Sequence, residues 1–105
     1  MTIEVEISEG LHRLKVSGEL NIYTAVEFKQ QLLEQLARAP RVEIDLSQVS
    51  EIDTAGFQVL YLARREASRD DKPLRLAAAS RAVKDVIQAY HMAAYFEHST
   101  KKENA

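Results

Sequence analysis

The chain has 105 residues, 46% of them hydrophobic and 29% charged, a profile of one globular domain with a single core rather than of a disordered chain. Its 14 Lys and Arg against 16 Asp and Glu leave a net charge of −2, which gives no support to nucleic-acid binding. Without cysteine, disulfides, thiolate catalysis and Cys-ligated metals are excluded; no apolar run is long enough to insert in a bilayer and no signal-peptide pattern opens the chain, so a cytoplasmic location is expected.

The first elements are strands. Ile3, Val5 and Ile7 alternate with Glu4, Glu6 and Ser8, the period of a half-buried strand. Glu9-Gly10 suggests a hairpin, and Leu14 and Val16 alternate with Arg13, Lys15 and Ser17 in a second strand closed by Gly18.

Thr24-Ala25-Val26-Glu27 matches a capping box, with a hydroxyl for an orphan amide and a Glu reaching back. Ala25, Phe28, Leu32 and Leu36 follow at helical spacing, widened by Val26 and Leu33. Pro40 ends this first helix, because its ring disfavours helical backbone at Ala39.

Val42, Ile44 and Leu46 predict a third strand, and Ser47 to Glu51 a polar connection anchored by Val49. Asp53 or Thr54 caps a second helix that runs to about Ser68, with Phe57, Leu60, Tyr61 and Arg64 on related positions. After a charged turn, Leu74 to Ala78 reads as a fourth strand. Ser80 caps a third helix whose apolar face is Val83, Val86, Ile87 and Tyr90. Tyr95 and Phe96 suggest a last short strand.

The order predicts an α/β domain over 1–98 with a polar, frayed tail at 99–105. A mixed sheet of four or five strands and three to four helices is expected, most of them on one face. No coiled-coil pattern or long apolar surface stretch occurs, so a monomer is expected, with a sheet edge as the route to weak dimerisation.

Charge is uneven along the chain: residues 1–53 carry five basic and ten acidic side chains, and residues 54–105 nine and six. Solvated faces explain this, as would a pair of faces that orient a partner.

Candidate chemistry is sparse. His12, His91 and His98 form no metal-binding spacing. Gly10, Gly18 and Gly56 are isolated, so no phosphate-cradling loop is present, and no serine sits in a nucleophile elbow. Asp45 and Asp53 make a weak carboxylate pair, since Asp45 shares its face with Glu43, away from the core.

The segment Ile52-Asp53-Thr54-Ala55-Gly56-Phe57 is more informative. It puts a hydroxyl at a helix N-terminus behind a carboxylate and ahead of small residues. It reads as an ordinary helix cap. It also reads as an exposed phosphorylation point, where a phosphate would add close to two negative charges.

Three motifs, in order, resemble those of STAS domains of the single-domain bacterial anti-sigma factor antagonist type: Gly18-Glu19-Leu20-Asn21, Val42-Glu43-Ile44-Asp45-Leu46-Ser47 and Ile52-Asp53-Thr54-Ala55-Gly56. The resemblance covers roughly residues 3–97. It implies no enzymatic activity, with Thr54 at the position that a partner serine/threonine kinase phosphorylates; no cofactor or metal is expected from the residues present. The partner would be an anti-sigma factor, often the kinase itself, and a cognate phosphatase would reset the system. The contact residues implied are Asn21, Ile22, Tyr23, Asp53, Thr54, Ala55 and Gly56. Thr54 stands where many members have Ser, and Asn21 where many have Asp. The same signature occurs in the STAS subunit that binds the ATPase of a bacterial lipid-transport ABC system, and single-domain STAS proteins also accompany chemosensory systems.

Overall fold

In the computed structural model, residues 1–96 are described; His98 and the expected tail lie outside them. The elements run β1 (Thr2–Ser8), β2 (Leu11–Leu20), α1 (Ala25–Arg38), β3 (Arg41–Ile52), α2 (Thr54–Arg69), β4 (Leu74–Ala79) and α3 (Arg81–Ala89). A one-turn helical segment follows at 93–96. The sheet order is β1-β2-β3-β4. The hairpin pair is antiparallel, and the two pairs joined across α1 and α2 are parallel, as crossover connections require.

Glu9 and Gly10 both take positive φ, 50° and 80°, the backbone of a tight hairpin turn matched to strand twist. β1 meets the expected half-burial only at Ile3, which packs against the core. Its register sets Ile3, Val5 and Ile7 opposite Val16, Leu14 and His12, on the core side of the sheet. Yet Val5 is exposed and Ile7 is 65% exposed. Alternation selects a face of the sheet; it does not supply a helix to cover the edge strand.

β2 does not close at Gly18. It continues to Leu20 through Gly18 at φ +93°, a conformation suited to glycine, where the pairing with β3 shifts register. The expected polar connection from Ser47 to Glu51 is likewise strand, since β3 runs unbroken to Ile52. Lys15 pairs Asp45 and Ser17 pairs Gln48; Gly18 pairs Val49 and Glu19 pairs Glu51. At each step β3 carries one more residue than β2, the mark of a bulge. The bulges turn a two-residue period into a three-residue one, so Leu46, Val49 and Ile52 are buried together.

The core draws on alternate residues of the inner strands and on all three helices: Leu14, Val16, Val42, Ile44 and Leu46 meet Phe28, Leu32, Leu60, Ala63, Val83 and Ile87. His12 sits at the edge of this core, its Nδ1 2.7 Å from Gln35 Oε1 of α1. On the other face Glu43 pairs with Arg13 at 3.1 Å and Arg75 at 3.2 Å. This chain of charges joins β2, β3 and β4 and draws on both halves of the sequence, so the sheet face is of mixed sign rather than one of two opposed charged faces.

Helix ends follow local chemistry with one exception. Asp53 caps α2 through Gly56 N, and Ser80 caps α3 through Val83 N. Ala39 ends α1 in extended conformation before Pro40. The expected capping box at Thr24 does not form: no side-chain cap bond is made there. The Thr24 hydroxyl instead donates to Glu19 O at 2.9 Å and accepts from Asn21 N at 3.0 Å. The preceding loop has claimed it.

Tyr95 and Phe96 are not a strand. Both lie in the segment 93–96 and stack on α2: Tyr95 faces Tyr61 at 5.3 Å and Phe96 meets Phe57 edge-on at 6.3 Å. The buried Arg64 lies over the Tyr95 ring at 5.5 Å. Packing of rings onto a neighbouring helix overrides their strand propensity here.

Asp45 lies on the open face. Hydrogen bonds from Ser47, side chain and then backbone amide, hold its carboxyl below the usual carboxylate range, aided by Lys15 and opposed by partial burial. A lowered folded-state value means that the unfolded chain binds the proton more readily. The stabilisation is therefore complete above the ordinary value of about 4 and is lost as pH falls through the lower folded value. Urea midpoints taken at pH 6 and pH 3 should fall less in Asp45→Asn than in wild type.

Candidate functional site

The site is assembled where β2 and β3 end side by side. Leu20 and Ile52 pair in register, and Asp53 N donates to Leu20 O at 3.0 Å. Each strand then hands over to its helix, so the loop 21–23 and the start of α2 emerge together. Asp53 ties them. Its Oδ1 accepts from Gly56 N at 3.1 Å, capping α2, and its Oδ2 accepts from Ile22 N at 3.0 Å across 31 residues of sequence.

Asn21 shapes the other loop. Its Oδ1 accepts from Tyr23 N at 2.9 Å and Thr24 N at 3.2 Å. Only an acceptor oxygen is needed for this turn, so an amide serves as a carboxylate would. The turn projects Ile22 and Tyr23 outward, 68% and 91% exposed. Val26, one turn into α1, is also exposed and borders a shallow groove of about 240 Å³ with Ala55, Gln58 and Val59 of α2. Ile22, Tyr23 and Val26 thus bring three exposed apolar side chains within five residues of sequence.

Thr54 is the first residue of α2 and exposed. Its hydroxyl lies 3.0 Å from the Tyr90 hydroxyl. Tyr90 is a site neighbour that its helical spacing concealed: it reads as the last apolar residue of α3, yet it caps that helix and stacks on Phe57 with centroids 4.5 Å apart.

The seven residues singled out in the sequence thus gather at one end of the sheet, with different parts. Thr54, Ile22 and Tyr23 present surface, and Ala55 is half-buried. Asp53 and Asn21 hold backbone. Gly56 is buried, and a Cβ there would lie 2.5 Å from Leu20 O; it seats α2 against β2 rather than offering contact. Among the described residues no three His, Cys, Asp or Glu side chains gather as a metal site. No helix among them is long and apolar enough to cross a membrane.

The family model described as the Mlab STAS domain matches residues 3–96. The chain belongs to the STAS domain family. An anti-sigma factor antagonist from Mycobacterium paratuberculosis has the same fold at TM-score 0.81 and 25% identity, over 90% of this chain and 81% of that one. The Bacillus cell fate determinant SpoIIAA in its phosphorylated form aligns at TM-score 0.69 and 14% identity, over 87% and 85%. A sulfate transporter family protein from Wolinella succinogenes aligns at 0.69 and 10%, over 95% and 93%. The STAS fold of this chain is thus the four-stranded mixed sheet with helices expected from its pattern.

The double role of Asp53 predicts a measurable loss. Asp53→Ala removes a helix cap and the brace to the loop 21–23, and should destabilise this STAS domain by about 2 kcal/mol in urea denaturation. Asp53→Asn keeps one good acceptor and should fall between the two.

Proposed function

We propose that this STAS domain is a non-enzymatic, cytoplasmic binding module of the anti-sigma factor antagonist kind, switched by phosphorylation of Thr54. The observation that carries the reading is the exposed Thr54 hydroxyl at the head of α2, beside the outward-facing Ile22 and Tyr23. Tyrosine and apolar residues at an exposed loop suit a protein interface. The likeness to an anti-sigma factor antagonist and to a phosphorylated member of the same fold supports it.

The mechanism is local. In the unmodified state a partner anti-sigma factor packs on Ile22, Tyr23, Thr54 and Ala55. A kinase, which is the anti-sigma factor itself in the simplest arrangement, transfers phosphate from a nucleoside triphosphate to Thr54 Oγ1. The added charge must then be desolvated against the partner, which costs enough to separate the two. A phosphatase restores the hydroxyl. No refolding is required, because Asp53 and Asn21 already fix both loops.

Affinity purification of tagged wild type, Thr54→Ala and Thr54→Glu tests this, with intact mass on the recovered protein. A kinase-like anti-sigma factor held by wild type and Thr54→Ala but lost by Thr54→Glu is the expected result, with phosphate mapped to Thr54. An ABC ATPase held equally by all three, with no phosphorylated form, would overturn the switch and establish the transporter-subunit role instead.

A further inference from the structure

Tyr90 is held in three ways. Its hydroxyl meets that of Thr54, its ring lies on Phe57 with the planes within 8°, and its amide donates to Val86 O at the end of α3. His91 then turns the chain away at φ +56°. The end of α3 is therefore tied to the start of α2 through a pair of hydroxyls, 36 residues apart in sequence.

Resting on the reading of Thr54 as the modified residue, we propose that Tyr90 is a latch that senses the state of Thr54 and passes it to the end of α3. Phosphorylation forms a bond between Thr54 Oγ1 and the terminal phosphorus of the nucleoside triphosphate. The nucleoside diphosphate leaves with the electron pair of the broken P–O bond, and the hydroxyl proton passes to the kinase's base. The new phosphoryl oxygens crowd the space around Oγ1 in which the phenol oxygen now lies. Tyr90 must slide off Phe57, whether it retreats or re-forms a hydrogen bond to an outer oxygen.

The displacement has somewhere to go. Phe57 also meets Phe96 edge-on at 6.3 Å. Phe96 walls an apolar groove of about 410 Å³ with Leu76, Ala79, Ile87 and Ala93. Thr54 is thereby connected through two ring contacts to a surface on the β4 side of the domain. The switch acts on the end of α3 as well as on the start of α2 that carries it, which a purely electrostatic switch at Thr54 does not require.

The test uses the full chain with phosphothreonine incorporated at position 54 during translation, compared with the unmodified chain by amide hydrogen exchange. The reporters are the amides of Tyr90, His91 and Met92, which bond to Val86, Gln88 and Ile87 carbonyls. The latch predicts roughly tenfold faster exchange at these three on phosphorylation, the loss expected for one hydrogen bond. Unmodified Tyr90→Phe, which keeps the ring and removes the hydroxyl, should already exchange at the faster rate and respond little further. Unchanged exchange in the phosphorylated wild type would overturn the latch, as would an undiminished response in Tyr90→Phe. Intact mass of the protein from cells reads separately whether Thr54 is phosphorylated, so failure of the latch and failure of the switch are told apart.

Discussion

Gly56→Ala should destabilise the domain by about 2 kcal/mol, although alanine is the better helix former. The new methyl would lie 2.5 Å from the Leu20 carbonyl oxygen and 2.9 Å from the carbonyl carbon. That carbonyl cannot swing aside freely, because it accepts the Asp53 amide and lies in the β2–β3 ladder. Helix propensity returns up to about 1 kcal/mol, while overpacking against fixed backbone costs about 3 kcal/mol, so the clash decides the sign. The urea midpoint is the readout; a midpoint at or above that of wild type would show that α2 shifts without penalty. The same shift would draw Thr54 away from Tyr90, so Tyr90 amide exchange should rise in this variant.

The second large effect is on binding. Phosphothreonine at 54 should weaken partner affinity by about a hundredfold, which corresponds to only about 2.7 kcal/mol. Desolvating close to two charges at a packed contact readily supplies that. Thr54→Glu brings one charge at a different reach, so a fall of about tenfold is expected, and Thr54→Ala should stay within about threefold. Calorimetric titration of the captured partner measures all three. A charge-driven loss also shrinks as salt rises, since exposed charges are screened. Equal losses in Thr54→Ala and Thr54→Glu would mean that the hydroxyl itself makes the contact.

Much of the fold was legible because it is local. The alternation of Val42, Ile44 and Leu46, the cap at Ser80 and that at Asp53 or Thr54, which the structure gives to Asp53, the tight turn at Glu9-Gly10 and the stop at Pro40 each act within a few residues. Backbone sterics and hydrogen-bond satisfaction express them whatever the rest of the chain does. The candidate site was legible for the same reason in part: a short polar side chain before a helix, then small residues.

What only the tertiary structure decided concerns which element meets which. The Thr24 hydroxyl left the role of cap because the Glu19 carbonyl came within reach. β3 ran on past Leu46 because the extension of β2 beyond Gly18 gave it a partner, with bulges that erased the two-residue period. Ile7 stayed exposed because, among the described residues, no helix extends over the edge strand, and Tyr95 and Phe96 became helical because α2 offered rings to stack on. Tyr90 is the clearest case. Periodicity marks it as apolar face, and only the docking of α3 beside α2 sets its hydroxyl on Thr54. By itself the sequence determined the side of each backbone on which a residue stands and where each helix can begin. The neighbour waiting on that side depends on contacts between distant segments, which no local period encodes.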